Sequence, residues 1–191
     1  MKYYTSVRLL GGAGHGPQDL IPMLVQHLHT EVARGEKDIA LALPECEEGR
    51  PPKLGKLVNF YADHASTLDS LADRIEQHRA LKDLVHVGRT KEVPEKPQAW
   101  AAYTRYRLPS RKKQKKDHDE FYQAKLQRRA ESVITMEQLP VIFMGSSQDR
   151  SSRFGLGIKV IRRTEKPSEL GALNGYGLSS RAKPVWLPVI E

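Results

Sequence analysis

An α+β fold is predicted, on three observations. Residues 1–92 alternate strand-like patterns of period two with two stretches of helical spacing. Pro94 and Pro97, in quick succession, then interrupt any helix or central strand. Beyond them, residues 93–191 carry a dense basic block followed by apolar segments separated by Ser-, Gly- and Pro-rich turns, which predict mostly short strands.

Residues 3–10 alternate, with Val7 and Leu9 on one face and Ser6 and Arg8 on the other, as in a half-buried strand. A Gly-rich link follows, and Pro17 suits the first turn of a helix. Leu20, Ile21, Leu24, Val25, Leu28 and Val32 fall at helical spacing, and Gly35 is placed to end that helix. Residues 38–43 alternate again through Ile39, Leu41 and Leu43. A turn-rich loop runs through Pro51 and Pro52, and residues 57–61 form a third strand. Leu68, Leu71, Ile75 and His78 mark a second helix, and residues 84–87 a fourth strand. The order β-α-β-β-α-β is the ferredoxin-like arrangement, two helices over one face of a four-stranded antiparallel sheet. The expected division is a ferredoxin-like domain over 1–92 and a smaller, less regular region over 93–191, which packs on the first because it lacks the means for a core of its own.

Charge gives the first functional indication. Residues 105–129 hold ten Lys and Arg against three acids, so seven of the chain's formal +8 sit in one segment. Scattered charge serves solubility; concentrated charge marks a polyanion-binding element. Arg111, Lys112, Lys113, Lys115 and Lys116 place like charges at adjacent and i,i+4 positions, which disfavours an isolated helix and favours one neutralised by phosphates. A solvated loop is the plain alternative. Tyr103, Tyr106, Phe121 and Tyr122 interleave with the cations and serve either to stack on bases or to anchor the segment. A single cysteine, Cys46, excludes an intramolecular disulfide and fits a reducing compartment. No run approaches the roughly 20 apolar residues of a spanning helix, and the N-terminus leads into a strand rather than a signal core. A cytoplasmic, soluble chain with no membrane association is expected.

Seven histidines raise the question of a metal, but their spacing speaks against zinc: His27 and His29 lie two apart on a helix and point about 200° from each other. Both flank the apolar stripe equally, so periodicity does not choose between them. Ser146 and Ser147 follow an apolar strand over 140–144, where serines ordinarily make a turn. No nucleophile elbow surrounds them. Tyr176 lies between Gly175 and Gly177, which permits either an exposed ring on a tight backbone or a bend in a strand.

In combination these pieces resemble the type I-F (Ypest) CRISPR-associated endoribonucleases, which cut precursor CRISPR RNA at a repeat hairpin. The similarity runs the whole length. It includes Leu28-His29 in the first helix, Tyr103 to Arg105 before the basic segment, Leu139-Pro140 before a strand and a Ser-rich turn ending in Phe154, and Tyr176-Gly177-Leu178-Ser179 before Pro184-Val185-Trp186. The resemblance implies His29 as the catalytic imidazole, Ser146 (or Ser147) as the active-site serine and Tyr176 as the residue orienting the histidine. It implies Phe154 as a ring stacking on the terminal base pair of the stem and Arg105 as a base-reading arginine. Two positions depart from the family's pattern. Arg107 stands where a base-reading glutamine is expected, and the basic helix is mostly Lys, which binds phosphate without the bidentate fork of Arg. The implied activity is cleavage by the RNA's own 2′-OH with no metal or other cofactor, giving a 5′-OH and a 2′,3′-cyclic or 3′ phosphate. The implied partners are the CRISPR repeat stem-loop and the other protein subunits of a type I-F guide-RNA surveillance complex. A non-catalytic RNA-hairpin-binding subunit is the competing expectation.

Overall fold

The alternation at the N-terminus forms the central strand of a first sheet. The computed structural model describes residues 1–12, 14–35, 39–107, 120–145, 153–165, 167 and 171–190, with the side chains of 120–123 and 125 left aside. In it β1 (Tyr3–Leu9) pairs antiparallel with β3 (Leu57–Ala62). The other edge of β1 takes β4 (Val85–Val87) and the two-residue β5 (Lys91–Glu92). β2 (Ala40–Ala42) closes the far side of β3, giving the order β2-β3-β1-β4, all antiparallel. With α1 (Pro17–Ala33) after β1 and α2 (Ala65–Gln77) after β3, this is the ferredoxin-like βαββαβ order.

The helices form where the apolar spacing predicts. Leu20, Ile21, Leu24, Val25 and Leu28 are all at most 1% exposed, so one complete stripe of α1 faces the core. Pro17 opens the helix, the Asp19 carboxylate accepts from the Gly16 N–H at 3.0 Å, and Gly35 takes a positive φ just beyond the end. In α2, Leu68, Leu71 and Ile75 are buried, while His78 caps the helix from outside it. β2 is shorter than the alternation suggests: Ile39 and Leu43 are buried but lie outside the ladder. β3 is buried along its whole length. The Tyr61 hydroxyl donates to the Pro188 carbonyl (2.8 Å) and the Asn59 amide to that of Ile190 (3.4 Å), tying the C-terminal segment across the strand.

The second sheet departs from the expectation of short strands. β6 (Trp100–Tyr106) has 7 residues and β8 (Arg153–Arg163) has 11; with β7 (Val141–Gly145) and β9 (Leu187–Pro188) they form the antiparallel order β7-β8-β6-β9. α3 (Glu120–Glu137) precedes β7. Arg111, Lys112, Lys113, Lys115 and Lys116 lie outside the described residues, as do Ser146 and Ser147. One apolar cluster runs through both sheets, from Val7, Leu28 and Phe60 to Ala101, Ile142, Leu156 and Ile158. Tyr103, 4% exposed, belongs to it and so anchors its segment, while the Cys46 thiol is buried and pushed up to about 12, by burial first and then by Glu48. α1 packs against α2 and also against β7, so the helix bearing the two candidate histidines meets the second sheet.

Candidate functional site

The turn at 174–178 is built by Asn174. Its side-chain oxygen accepts from the backbone N–H of Tyr176 (2.9 Å) and of Leu178 (3.4 Å), while its carbonyl accepts from the Gly177 N–H at 3.0 Å. Gly177 holds φ at +69°, and a Cβ there would stand 2.9 Å from both the Ile39 carbonyl oxygen and the Leu41 nitrogen. No other residue allows that approach. The Gly177 carbonyl accepts from the Leu41 N–H (2.8 Å), docking the turn on β2. On the other side Ser179 takes both its N–H and its hydroxyl to the Tyr103 carbonyl (3.0 and 3.1 Å), and its own carbonyl accepts from the Arg105 N–H (3.0 Å). The turn is thus bolted between the edge of the first sheet and β6 of the second.

This clamp decides which histidine on α1 faces what. His29 Nδ1 lies 2.8 Å from the Gly175 carbonyl oxygen. A carbonyl only accepts, so Nδ1 carries the hydrogen and donates it; in the neutral ring the lone pair therefore resides on Nε2. Gly175 brings no side chain into the contact, where a Cβ would sit 3.3 Å from Nδ1. The Tyr176 ring stacks on the imidazole, centroids 4.7 Å apart and planes 20° from parallel. His27 looks elsewhere: it meets His78 at the end of α2 edge-on, 4.8 Å between centroids, and burial first, then His78, lower its pKa.

Around Tyr176 stand two further residues singled out in the sequence. The Phe154 ring lies 6.1 Å away, tilted by 58°, and the Arg105 guanidinium carbon lies 5.6 Å from the tyrosine centroid. Arg105 Nε is buried, with no hydrogen-bond partner among the described residues. Burial first, and then the neighbouring Arg107 guanidinium, hold its pKa below the usual arginine value. A buried, unpartnered donor beside a second cation is an arrangement that an anion completes. Arg107 itself is exposed. His29, Tyr176, Phe154 and Arg105 thus come together from α1, the clamped turn, β8 and β6. Ser146 and Ser147 lie outside the described residues; the strand that leads to them, β7, ends at Gly145 and packs on the His29 helix.

Sequence reasoning missed two contributors. The Gly175 carbonyl, which sets the imidazole, has no side-chain signature, but Asn174 was findable as an Asn beginning a Gly-flanked turn.

The CRISPR-associated protein (Cas_Csy4) family matches residues 4–186. The chain belongs to that family. No curated protein matches it. A solved structure described as "An RAMP protein binding different RNA substrates" aligns over 97% of this chain and 99% of its own, at 12% identity and a TM-score of 0.39, a likeness too loose to argue from. For this CRISPR-associated protein, no group of three or more His, Cys, Asp or Glu side chains among the described residues is arranged to hold a metal ion. No described helix is long and apolar enough to cross a membrane.

Proposed function

We propose that this member of the Cas_Csy4 family is an endoribonuclease that cuts the repeat stem-loop of precursor CRISPR RNA and remains on the product as a subunit of a type I-F surveillance complex. The observation that carries the reading is the His29–Gly175 hydrogen bond, because it leaves Nε2 as the atom that exchanges a proton with substrate. RNA supplies its own nucleophile. The 2′-OH next to the scissile phosphate gives its proton to His29 Nε2 and its oxygen attacks phosphorus. The bond from phosphorus to the 5′-oxygen breaks, leaving a 2′,3′-cyclic phosphate and, once protonated, a 5′-OH. Imidazole suits this transfer because its ordinary pKa lies near neutrality. Stacking on Tyr176 restrains the ring, so little orientation is lost when the substrate arrives.

The other residues receive roles from their chemistry. Ser146 holds the attacking hydroxyl in line, and Phe154 offers a face for the end of the stem. Arg105 and Arg107 meet phosphate or base edges, and Arg111, Lys112, Lys113, Lys115 and Lys116 position the stem through its backbone. No step in this scheme requires a cation. The decisive assay incubates repeat hairpin in EDTA, with ribose or 2′-deoxyribose at the scissile position. The ribose strand is expected to give one discrete product ending in a 2′,3′-cyclic or 3′ phosphate, and the deoxy strand to stay intact. Equal cleavage of the two strands, or cleavage abolished by EDTA, ends the proposal.

A further inference from the structure

The Gly175 carbonyl that meets His29 belongs to the backbone, so its direction is a property of the turn. Residues 174–177 form a β-turn, closed by the Gly177 N–H donating to the Asn174 carbonyl at 3.0 Å. At its base the Asn174 N–H donates to the Leu178 carbonyl (2.8 Å), and Leu173 bridges to Ser179. These bonds fix where the turn stands. They do not fix which way its central peptide, between Gly175 and Tyr176, points. Turns of types I and II share the bond across the ends and differ by a rotation of that one peptide unit.

The Asn174 side chain settles the direction. A trans peptide sends its C=O and its N–H to opposite sides. Here the Tyr176 N–H donates to Asn174 Oδ1 at 2.9 Å, and the Gly175 carbonyl accepts from His29 Nδ1 at 2.8 Å. One peptide unit is therefore gripped from both sides, by a carboxamide and by the imidazole. The second group that meets Asn174 Oδ1 is also a donor, the Leu178 N–H at 3.4 Å, so the carboxamide must turn its oxygen and not its nitrogen toward the turn. Turned over, the central peptide would present the Tyr176 N–H to His29 instead. Nδ1 would then have to accept, the ring hydrogen would sit on Nε2, and the substrate would meet a donor where the reaction needs a lone pair.

We propose that Asn174 is a positioning residue: by holding the Gly175–Tyr176 peptide, it selects the His29 tautomer whose lone pair is on Nε2. The inference rests on the endoribonuclease reading above, in which Nε2 takes the 2′-OH proton. Asn174 acts on the ring through one peptide unit and not on the substrate. The hydrogen bond it accepts also polarises that peptide, which strengthens the Gly175 carbonyl as an acceptor for Nδ1–H.

The test has two readouts on the full chain. Nitrogen NMR of protein labelled in its histidine rings, at about pH 8 where an ordinary imidazole is neutral, reports which nitrogen of His29 carries the hydrogen. His29→Ala identifies the signals. Wild type is expected to show Nδ1–H, and Asn174→Ala to lose that preference as the Nε2–H form appears. Single-turnover cleavage of the repeat hairpin by saturating protein is expected to fall by about 10- to 100-fold in Asn174→Ala, with hairpin affinity unchanged. Asn174→Asp keeps an acceptor oxygen for both N–H groups, so it is expected to retain Nδ1–H and recover most of the rate. If the alanine variant does not fold, Asn174→Ser takes its place; its hydroxyl caps such turns more weakly, and smaller losses are expected in both readouts. An alanine variant that keeps Nδ1–H, or that cleaves as wild type does, overturns the inference, as does an aspartate variant equally impaired. Wild type leaving the hairpin uncut overturns the endoribonuclease reading instead, and the spectra, which need no RNA, still decide what Asn174 does to the ring.

Discussion

The two sheets of this protein are built for different work. In the first, β3 is buried from end to end and the helices present complete apolar stripes to it; its residues mostly hold one another. In the second, buried Ala101, Ala102 and Tyr103 are followed along β6 by the partly exposed Arg105 and Tyr106 and, just past its end, by the exposed Arg107. Phe143 and Phe154 stand on opposite faces of the β7–β8 pair. On the proposed reading, the first sheet supplies position and the second supplies the groups that would face RNA. The His29 cluster arises where the two meet, because an imidazole needs a rigid helix behind it and a polar surface in front. The same division recurs within α1: Leu28 is fully buried, His27 faces the scaffold and His29 faces the clamped turn.

The largest expected effect tests that division directly. If His29 moves the proton and His27 only packs, His29→Ala loses about 10²–10⁴-fold in hairpin cleavage while hairpin affinity stays near that of wild type. His27→Ala should then cleave within a few-fold of wild type. Single-turnover rates with saturating protein separate chemistry from binding. Equal losses in the two variants would mean that the faces of the helix are not functionally distinct.

A smaller effect is expected from loosening the clamp. Gly177→Ala puts a Cβ at positive φ and within 2.9 Å of two backbone atoms of the 39–41 segment. It should lower stability by about 1–3 kcal/mol, and slow cleavage less than His29→Ala does. Asn tolerates positive φ, but its Cβ meets the same backbone, so Gly177→Asn should not rescue. Urea unfolding of the three proteins, with cleavage rates at a temperature where all are folded, measures both. If Asn restores stability, the φ angle rather than the close approach made glycine necessary.

How far the sequence could be read follows the same line. Strand β1 and both helices of the first sheet announce themselves, since each has residues of one character at a regular spacing, and β3 does so as a nearly continuous run of large apolar residues. β6 does not. Ala101 to Thr104 are buried consecutively, so nothing alternates, and two of the four are alanines. β8 carries Gly155 and Gly157, which read as turn residues, yet here they leave room for Val141 and Met136. His29 and Tyr176 were indicated only by a family resemblance, because what brings them together is a turn nearly 150 residues further along the chain. Periodicity places a residue on a face of its own helix; it says nothing of what a remote turn brings to that face.

The smallest effect concerns His27 and works through pH. Burial and the nearby His78 lower the His27 pKa in the folded protein, so the folded state resists the proton that the unfolded chain accepts. The contribution of the neutral ring is therefore complete above the ordinary histidine value of about 6.5 and declines as pH falls below it. The ring is only partly buried, which keeps the effect modest. Its surroundings do not offset it: on the same interface Glu31 is already paired with Arg74 (2.5 Å) and Arg34 (3.5 Å). Between pH 7.5 and 5.5 most carboxylates stay ionised, and Asp63, lowered first by its hydrogen bond from the N-terminal amine, titrates further down. Urea midpoints at those two pH values should fall further for wild type than for His27→Gln. Taking the difference between the two proteins cancels the five histidines outside this contact. Identical pH dependence would mean that the His27–His78 contact contributes nothing to stability that changes between these pH values.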